Sequence, residues 1–289
     1  MPKIYNIPKN IPKNIFLYHH TRKLIPFHAP HLTHTHTQNK MMLLKIDNLV
    51  QGQIVKRPSK LIKSPYVADV KYGDQEILGH APALGCNGLS DAGATILMCP
   101  STSDKCSHTI HCSVNNTQVI GIHPKSAEKL AESALTHNCL TTLRNIKSYR
   151  RETKINDSRF DFTGVDANDI PFIMEVKNVP LTGTGSLSRT AIFPVGHRKK
   201  VSEPISPRAL KHTRELTLLR KDKDNIRCIM CYVIQRTDVD AFQPSDLDPE
   251  YKEAVKLAHE AGVEIITLVV EWNLAGEAHF VRDDLPFVL

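Results

Sequence analysis

Two carboxylates and a lysine stand at positions from which neighbouring strands could bring them together. Ser158-Arg159-Phe160-Asp161-Phe162 is followed, after a turn-rich stretch over 163–171, by Ile173-Met174-Glu175-Val176-Lys177-Asn178. Alternate residues of a strand share a face. Glu175 and Lys177 therefore project together, with Met174 and Val176 on the opposite side. Phe160 and Phe162 point the other way from Asp161. If the two strands form a hairpin, Asp161 approaches Glu175 and one sheet face carries two carboxylates and an ammonium. That set suits phosphodiester hydrolysis. Hard Mg²⁺, or Mn²⁺ in its place, takes carboxylate oxygens and keeps several waters. The ion acidifies a bound water and stabilises charge on phosphoryl oxygens, and Lys177 could orient the nucleophile or neutralise the transition state. Glu152 on the preceding strand or Glu128 on a helix could complete the metal shell. The plainer reading of the same spacing is a solvent-facing strand with Glu175 and Lys177 as an ordinary ion pair.

The elements that would position this set follow from periodicity. Short alternating segments at 53–57, 66–72, 75–80, 95–99, 109–114 and 118–122, separated by Gly-, Asp- and Asn-rich turns, predict a small β-barrel. Pro124 opens a helix running to about His137, with Leu130, Ala134 and Leu135 on one stripe. Strands follow at 149–155, 158–162 and 172–179, then a long Gly-, Ser- and Pro-rich loop over 182–207. Ser206 is placed to cap a helix from Pro207 to about Arg220. Cys228–Gln235 is a buried strand by its apolar run, 249–261 an amphipathic helix ending at Gly262, and 263–270 a further strand. Strand, helix, strand in this order implies a right-handed crossover and a parallel pair. The expected architecture is an N-terminal barrel at 41–118 joined to an α/β domain with a mixed sheet at 119–289.

The chain has 289 residues, 37 Lys and Arg against 30 Asp and Glu, and a formal charge of +7. A hydrophobic content of 41% and a charged content of 23% exclude collagen-like, wholly disordered and multi-span membrane chains. No run of about 18 apolar residues reads as a transmembrane helix, and the first residues lack the apolar core of a secretory signal. Seven cysteines without framework spacing fit reduced thiols in the cytoplasm. The charge is unevenly placed. Residues 1–40 hold six Lys and Arg, no acid and six of the fifteen histidines, leaving only +1 for the remainder. This tail, with its repeated Asn-Ile-Pro-Lys, reads as a disordered extension ahead of a functional start at Met41 or Met42. The competing readings are an organelle transit peptide, which its prolines and lack of serine disfavour, and a weak metal site around His34 and His36. From Arg198 to Arg227 ten basic residues face four acids; from Asp238 to Leu289 twelve acids face three basic residues. Clustered positive charge can mean a phosphate-binding face or a solvated helix face.

Several motifs resemble the sugar fermentation stimulation protein family. These are Ser158 to Phe162, Glu175-Val176-Lys177-Asn178-Val179, Lys211-His212-Thr213-Arg214-Glu215-Leu216, Gln235-Arg236-Thr237-Asp238-Val239, Phe242 and Pro244, Asp248-Pro249-Glu250-Tyr251, and Ala261-Gly262-Val263-Glu264-Ile265. The resemblance runs from about Ile54 to the C-terminus and is strongest in the second half. It implies an OB-fold-like barrel followed by a restriction-endonuclease-like (PD-(D/E)xK) α/β domain, and Asp161, Glu175 and Lys177 at nuclease-type catalytic positions. It further implies non-specific DNA binding linked to regulation of sugar use. The protein is then either a Mg²⁺-dependent endonuclease or a non-catalytic DNA-binding regulator on the same fold; RNA remains an alternative substrate, and a homodimer an alternative assembly. The motif residues Arg236 and Asp238 belong to the functional set that the resemblance carries over. The chain departs from the family at Val195, where an Asp follows Phe-Pro in relatives, in the insertion over 196–204, and in the barrel loop from His80 to Gly85. The inserted Arg198, Lys199 and Lys200 add phosphate-binding charge.

On the helix after Ser206, Arg208, Lys211 and His212 share one face and are expected, with Arg159, to meet phosphates. Cys228 and Cys231 lie three apart in a strand and face opposite sides, so they cannot ligate one ion. Cys99, Cys106, His108, His111 and Cys112 read as ordinary barrel thiols and imidazoles rather than structural zinc. Asp246, Asp248 and Glu250 precede and cap a helix rather than forming a calcium loop.

Overall fold

The computed structural model describes residues 40–289 except 87, 197–202 and 224. The expectations for the tail before residue 40, and for Arg198, Lys199 and Lys200, lie outside the described residues. The first strand, β1 (Met42–Lys45), pairs antiparallel with the last, at Met42↔His279. Residues 42–45 thus extend the C-terminal sheet, where the sequence reading put them in the barrel. Alternation over so short a segment indicates a strand without indicating its partner.

The barrel uses β2 (Val50–Lys56), β3 (Val67–Tyr72), β4 (Gln75–His80), β5 (Thr95–Pro100) and β6 (His108–Asn115). Their order β4-β3-β2-β5-β6 closes through a parallel β4–β6 contact. Closure removes the free edges. Inward residues of each strand, including Ile54, Val70, Ile96, Met98 and Ile110, fill the interior. Gly52 is required by close approach, since a Cβ there would lie 2.8 Å from the Val70 side chain.

Strand β7 (Gln118–Gly121) leads out of the barrel and meets the main sheet at Val119↔Trp272. Helix α1 (Pro124–Thr136) follows, then β8 (Ser148–Ile155), β9 (Ser158–Val165), β10 (Pro171–Val179) and β11 (Thr190–Phe193). The remainder is α2 (Pro207–Asp222), β12 (Arg227–Ile234), β13 (Ala241–Pro244), α3 (Pro249–Glu260), β14 (Glu264–Trp272) and β15 (Glu277–Arg282). The sheet runs β7-β14-β12-β10-β9-β8, with β14, β12 and β10 mutually parallel and β9 and β8 antiparallel at the edge.

A parallel sheet covered on both faces needs strands that are apolar throughout, and β12 is buried along nearly its whole length. Ile229, Cys231 and Val233 join the cluster under α1 with Met174, Val176, Leu130 and Leu135. Cys228, Met230, Tyr232 and Ile234 join the cluster under α2 with Ile173, Leu216 and Leu219. Each fully buried side chain of this size contributes roughly 1.5–3 kcal/mol. The two cysteines of β12 therefore sit in separate clusters. The 182–207 stretch, expected as a loop, contains β11, which pairs in parallel with β13. No helix among the described residues is long and apolar enough to cross a membrane.

Candidate functional site

Strands β9 and β10 pair from Pro171↔Val165 to Met174↔Phe162, and there the ladder stops. The next position on β9 is Asp161, whose Oδ2 accepts the Val176 N–H at 2.7 Å. The carboxylate takes over a ladder bond where the strands part. On the other side, β8 pairs with β9 at Arg151↔Phe162 and Thr153↔Phe160. Glu152, opposite Asp161, drops out of the register with φ of 50°, a left-handed conformation that costs a non-glycine residue energy. The irregularity also reverses the alternation. Phe160 packs towards α2, 5.5 Å from the His212 ring, while Phe162 packs in the cluster under α1. The expectation that both phenylalanines point the same way fails because strict alternation holds only in a continuous ladder.

Glu175 and Lys177 do share a side of β10, but it is the buried side, with 2% and 9% of each residue exposed. Glu175 Oε1 accepts from His212 Nδ1 at 2.5 Å and from Lys177 Nζ. Glu175 Oε2 is buried with no hydrogen-bond partner. Burial pushes the Asp161 carboxyl up to about 7, and neighbouring Glu175 adds to the shift against the opposing Val176 N–H and Lys177. Burial would also raise Glu175, yet Lys177 and His212 outweigh it and hold that carboxyl below the usual range. Glu128 is raised by burial; Arg151, 3.3 Å away, opposes the rise, while Glu152 and Glu175 add to it.

The sequence-expected metal ligands thus divide. Asp161 and Glu175 come together, and Glu128 stands within their electrostatic reach. Glu152 is exposed and held by Arg159 at 3.1 Å. Among the described residues no three His, Cys, Asp or Glu side chains converge as a complete ligand set. The donors present still fit a hard divalent ion, which binds through one or two carboxylates and keeps its waters. A buried carboxylate oxygen without a partner is costly unless something positive completes it.

Beside these carboxylates, the β8–β9 turn and the start of α2 enclose a groove of about 450 Å³ lined by Asp157, Ser158, Arg159, Pro207, Arg208, Lys211 and His212. Lys211 Nζ donates to the Asp157 carbonyl at 2.8 Å, and Arg208 has no ion-pair partner among the described residues. Ser206 occupies the N-cap position, but its side chain makes no capping bond, so the first turn of α2 keeps free N–H donors. The Ser158 hydroxyl is buried without a partner. His212 departs from the expected exposed face: it is 3% exposed and spends Nδ1 on Glu175. Its place on the buried stripe with Ala209, Thr213 and Leu216 was the signal in the sequence. Ser158 carried no comparable signal.

Arg236 and Asp238 form a local clamp. Nε and Nη2 bind the Asp238 carboxylate at 2.6 and 2.7 Å, and Nη1 donates to the Pro180 carbonyl. Arg236 is 6% exposed, and its role is to tie the end of β12 to the end of β10. Asp248 caps α3 through the Tyr251 N–H and also accepts from Ile205 N–H at 2.6 Å.

Residues 125–276 match the family profile described as the sugar fermentation stimulation protein RE domain. The sugar fermentation stimulation protein homolog of Shewanella baltica is 31% identical over 235 residues, covering 78% of this chain and 92% of that one. The homolog of Clostridium novyi is 24% identical over 250 residues, covering 85% of this chain and 100% of that one. The structure of Pyrococcus furiosus SfsA in complex with Ca²⁺ superposes with a TM-score of 0.74 at 21% identity, covering 86% of this chain and 100% of that one. That likeness carries the fold: a closed barrel joined to the α/β sheet described above. With a profile match over more than half its length and relatives above 30% identity, the chain belongs to the sugar fermentation stimulation protein family.

Proposed function

We propose that this protein binds DNA and hydrolyses its phosphodiester backbone with a divalent metal, Mg²⁺ or Mn²⁺, held by Asp161 and Glu175. The observation that carries the reading is the buried, partnerless Glu175 Oε2 beside a second carboxylate at a parting of two strands. The spacing Asp161…Glu175-Val176-Lys177 accords with the PD-(D/E)xK pattern, and the barrel with an OB-fold. Pyrococcus furiosus SfsA is described as a Ca²⁺ complex, which supports a divalent site in this chain as well. Bound there, Mg²⁺ would acidify a water and stabilise phosphoryl charge. Asp161 and Glu175 would supply its oxygens, and Glu128 would add negative charge nearby. Lys177 keeps Glu175 ionised and in place and offers positive charge to the scissile phosphate. His212 fixes the Glu175 rotamer from beneath. Arg159, Arg208, Lys211, the Ser158 hydroxyl and the first turn of α2 would grip the adjacent backbone phosphate.

The test is incubation of labelled duplex and single-stranded DNA, and RNA, with Mg²⁺ or Mn²⁺. Metal-dependent cleavage by the native chain and its loss in Asp161→Ala is the expected result. Binding without cleavage in either protein would defeat the hydrolytic reading. It would leave the second one, a non-catalytic DNA-binding regulator, which the engagement of Lys177 and His212 by a single Glu175 oxygen favours.

A further inference from the structure

The outer surface of the α2–α3 layer has no role in the site described above. Both helices bury one side against the sheet, yet between them an open groove of about 470 Å³ has an apolar floor of Thr217, Leu218, Ala254 and Leu257. Leu218 and Leu257 are 59% and 46% exposed. Its two walls have opposite sign: Arg214 and Lys221 stand on α2, Glu250 and Glu253 on α3. Arg214 pairs with Glu250 at 2.9 Å, whereas Lys221 and Glu253 have no ion-pair partner among the described residues.

The helices run side by side in the same direction, because each leads through a short turn into one of the parallel strands β12 and β14. The Arg214–Glu250 pair sets their level near the start of α3. The Arg220 guanidinium, which a Cβ on Gly262 would meet at 3.3 Å, sets it at the far end. This arrangement has a symmetry consequence. A twofold axis along the groove lays α2 of one molecule over α3 of another at the same level. Basic wall then meets acidic wall, and Leu218 lies over Ala254 of the second copy, with Leu257 nearly a turn further along. A twofold axis across the helices would set Arg and Lys against Arg and Lys. Isologous contacts need a surface complementary to itself, and only the first operator meets that need here.

We infer that this groove is a self-association surface whose occupant is a second copy of the chain, related by a twofold axis parallel to α2 and α3. Eight residues line the groove, against roughly 20–30 a side in a standard interface, so the dimer is weak. Because the walls are charged, high salt weakens it.

The experiment is analytical ultracentrifugation of the full chain over about 1–200 µM. The native chain shifts from monomer to dimer across that range, and Leu218→Glu stays monomeric. Lys221→Glu and Glu253→Lys each weaken association at least ~10-fold, and mixing the two restores it through hetero-dimers. Leu218 is exposed, so folding of its variant is checked by thermal melting; if it fails to fold, the two charge variants decide. A native chain that stays monomeric to about 200 µM, a dimer indifferent to Leu218→Glu, or charge variants that do not rescue one another would each overturn the inference. So would a chain lacking residues 1–38 that dimerises where the full chain does not, since the terminal segment would then be the occupant.

Discussion

At the scale of single residues, the site is a set of carboxyl groups driven in opposite directions. Asp161 holds its proton to about pH 7 in the folded chain, against roughly 3.9 when unfolded. Between those values the native state binds more protons than the unfolded state, so stability falls as pH rises through the window and levels off above it. Glu175 has the opposite sign: its depressed value adds stability above the unfolded value, lost only in acid. Urea denaturation of the metal-free protein should therefore show a loss of about 2–3 kcal/mol from pH 5 to pH 8. Asp161→Asn should flatten that loss. An unchanged slope in the variant would show that Asp161 is not the titrating group. His212→Ala should cost about 1–3 kcal/mol, because Glu175 stays buried with one donor fewer; the urea midpoint reads this directly. His212 reads from its charge as part of a basic face; only its spacing with Ala209, Thr213 and Leu216 marks it as buried, and that spacing does not name Glu175 as its partner.

At the scale of elements, the strands and helices were largely legible, and the breaks in their regularity were not. Alternation predicts β9 and β10, but the end of their pairing at Met174↔Phe162, which lets Asp161 bond to Val176, is a parting of two strands that no local pattern encodes. Ser206 was legible as an N-cap position, and its side chain leaves the helix end open. Asp248 was legible in the same way and does cap α3, while its second oxygen fixes Ile205 in the segment before α2. Asp248→Ala should cost about 1–2 kcal/mol in thermal or urea unfolding. It should also weaken DNA binding if α2 is held through that segment, whereas a pure cap loss would leave binding intact. Gly121 is fixed by contact rather than by a turn. A Cβ there would meet Gln235 Oε1 at 2.0 Å and Trp272 Nε1 at 2.4 Å. These two groups hydrogen-bond at 2.8 Å where the barrel joins the sheet. Gly121→Ala should destabilise the protein by about 1–3 kcal/mol, read as a fall in its melting temperature.

At the scale of the whole molecule, charge is the quantity most easily misread. Of the +7, six charges lie in residues 1–40, and the remainder of the chain is nearly neutral. A chain beginning at Met42 should keep the groove contacts of Arg159, Arg208 and Lys211 while losing the long-range attraction of the terminal segment. Its DNA affinity should fall at low salt, with a shallower dependence of log K on log salt, and converge with the full chain at high salt. Arg208→Ala with Lys211→Ala in that shortened chain should remove about two further phosphate contacts from the slope. Identical slopes for all three proteins would place the DNA elsewhere.

The sequence by itself determined the element order, the barrel followed by an α/β sheet, the family, and the pairing of Glu175 with Lys177 on one strand face. Each of these rests on local periodicity or on the order of motifs, which a linear chain carries. Only the tertiary structure decided that this face is buried rather than solvated, that His212 completes it from α2, and that Glu175 keeps an oxygen without a partner. It also decided that Glu152 turns outward to Arg159 while Asp161 turns inward. Those outcomes depend on which helix covers which side of the sheet and where two strands part, and contacts between residues far apart in the chain settle both.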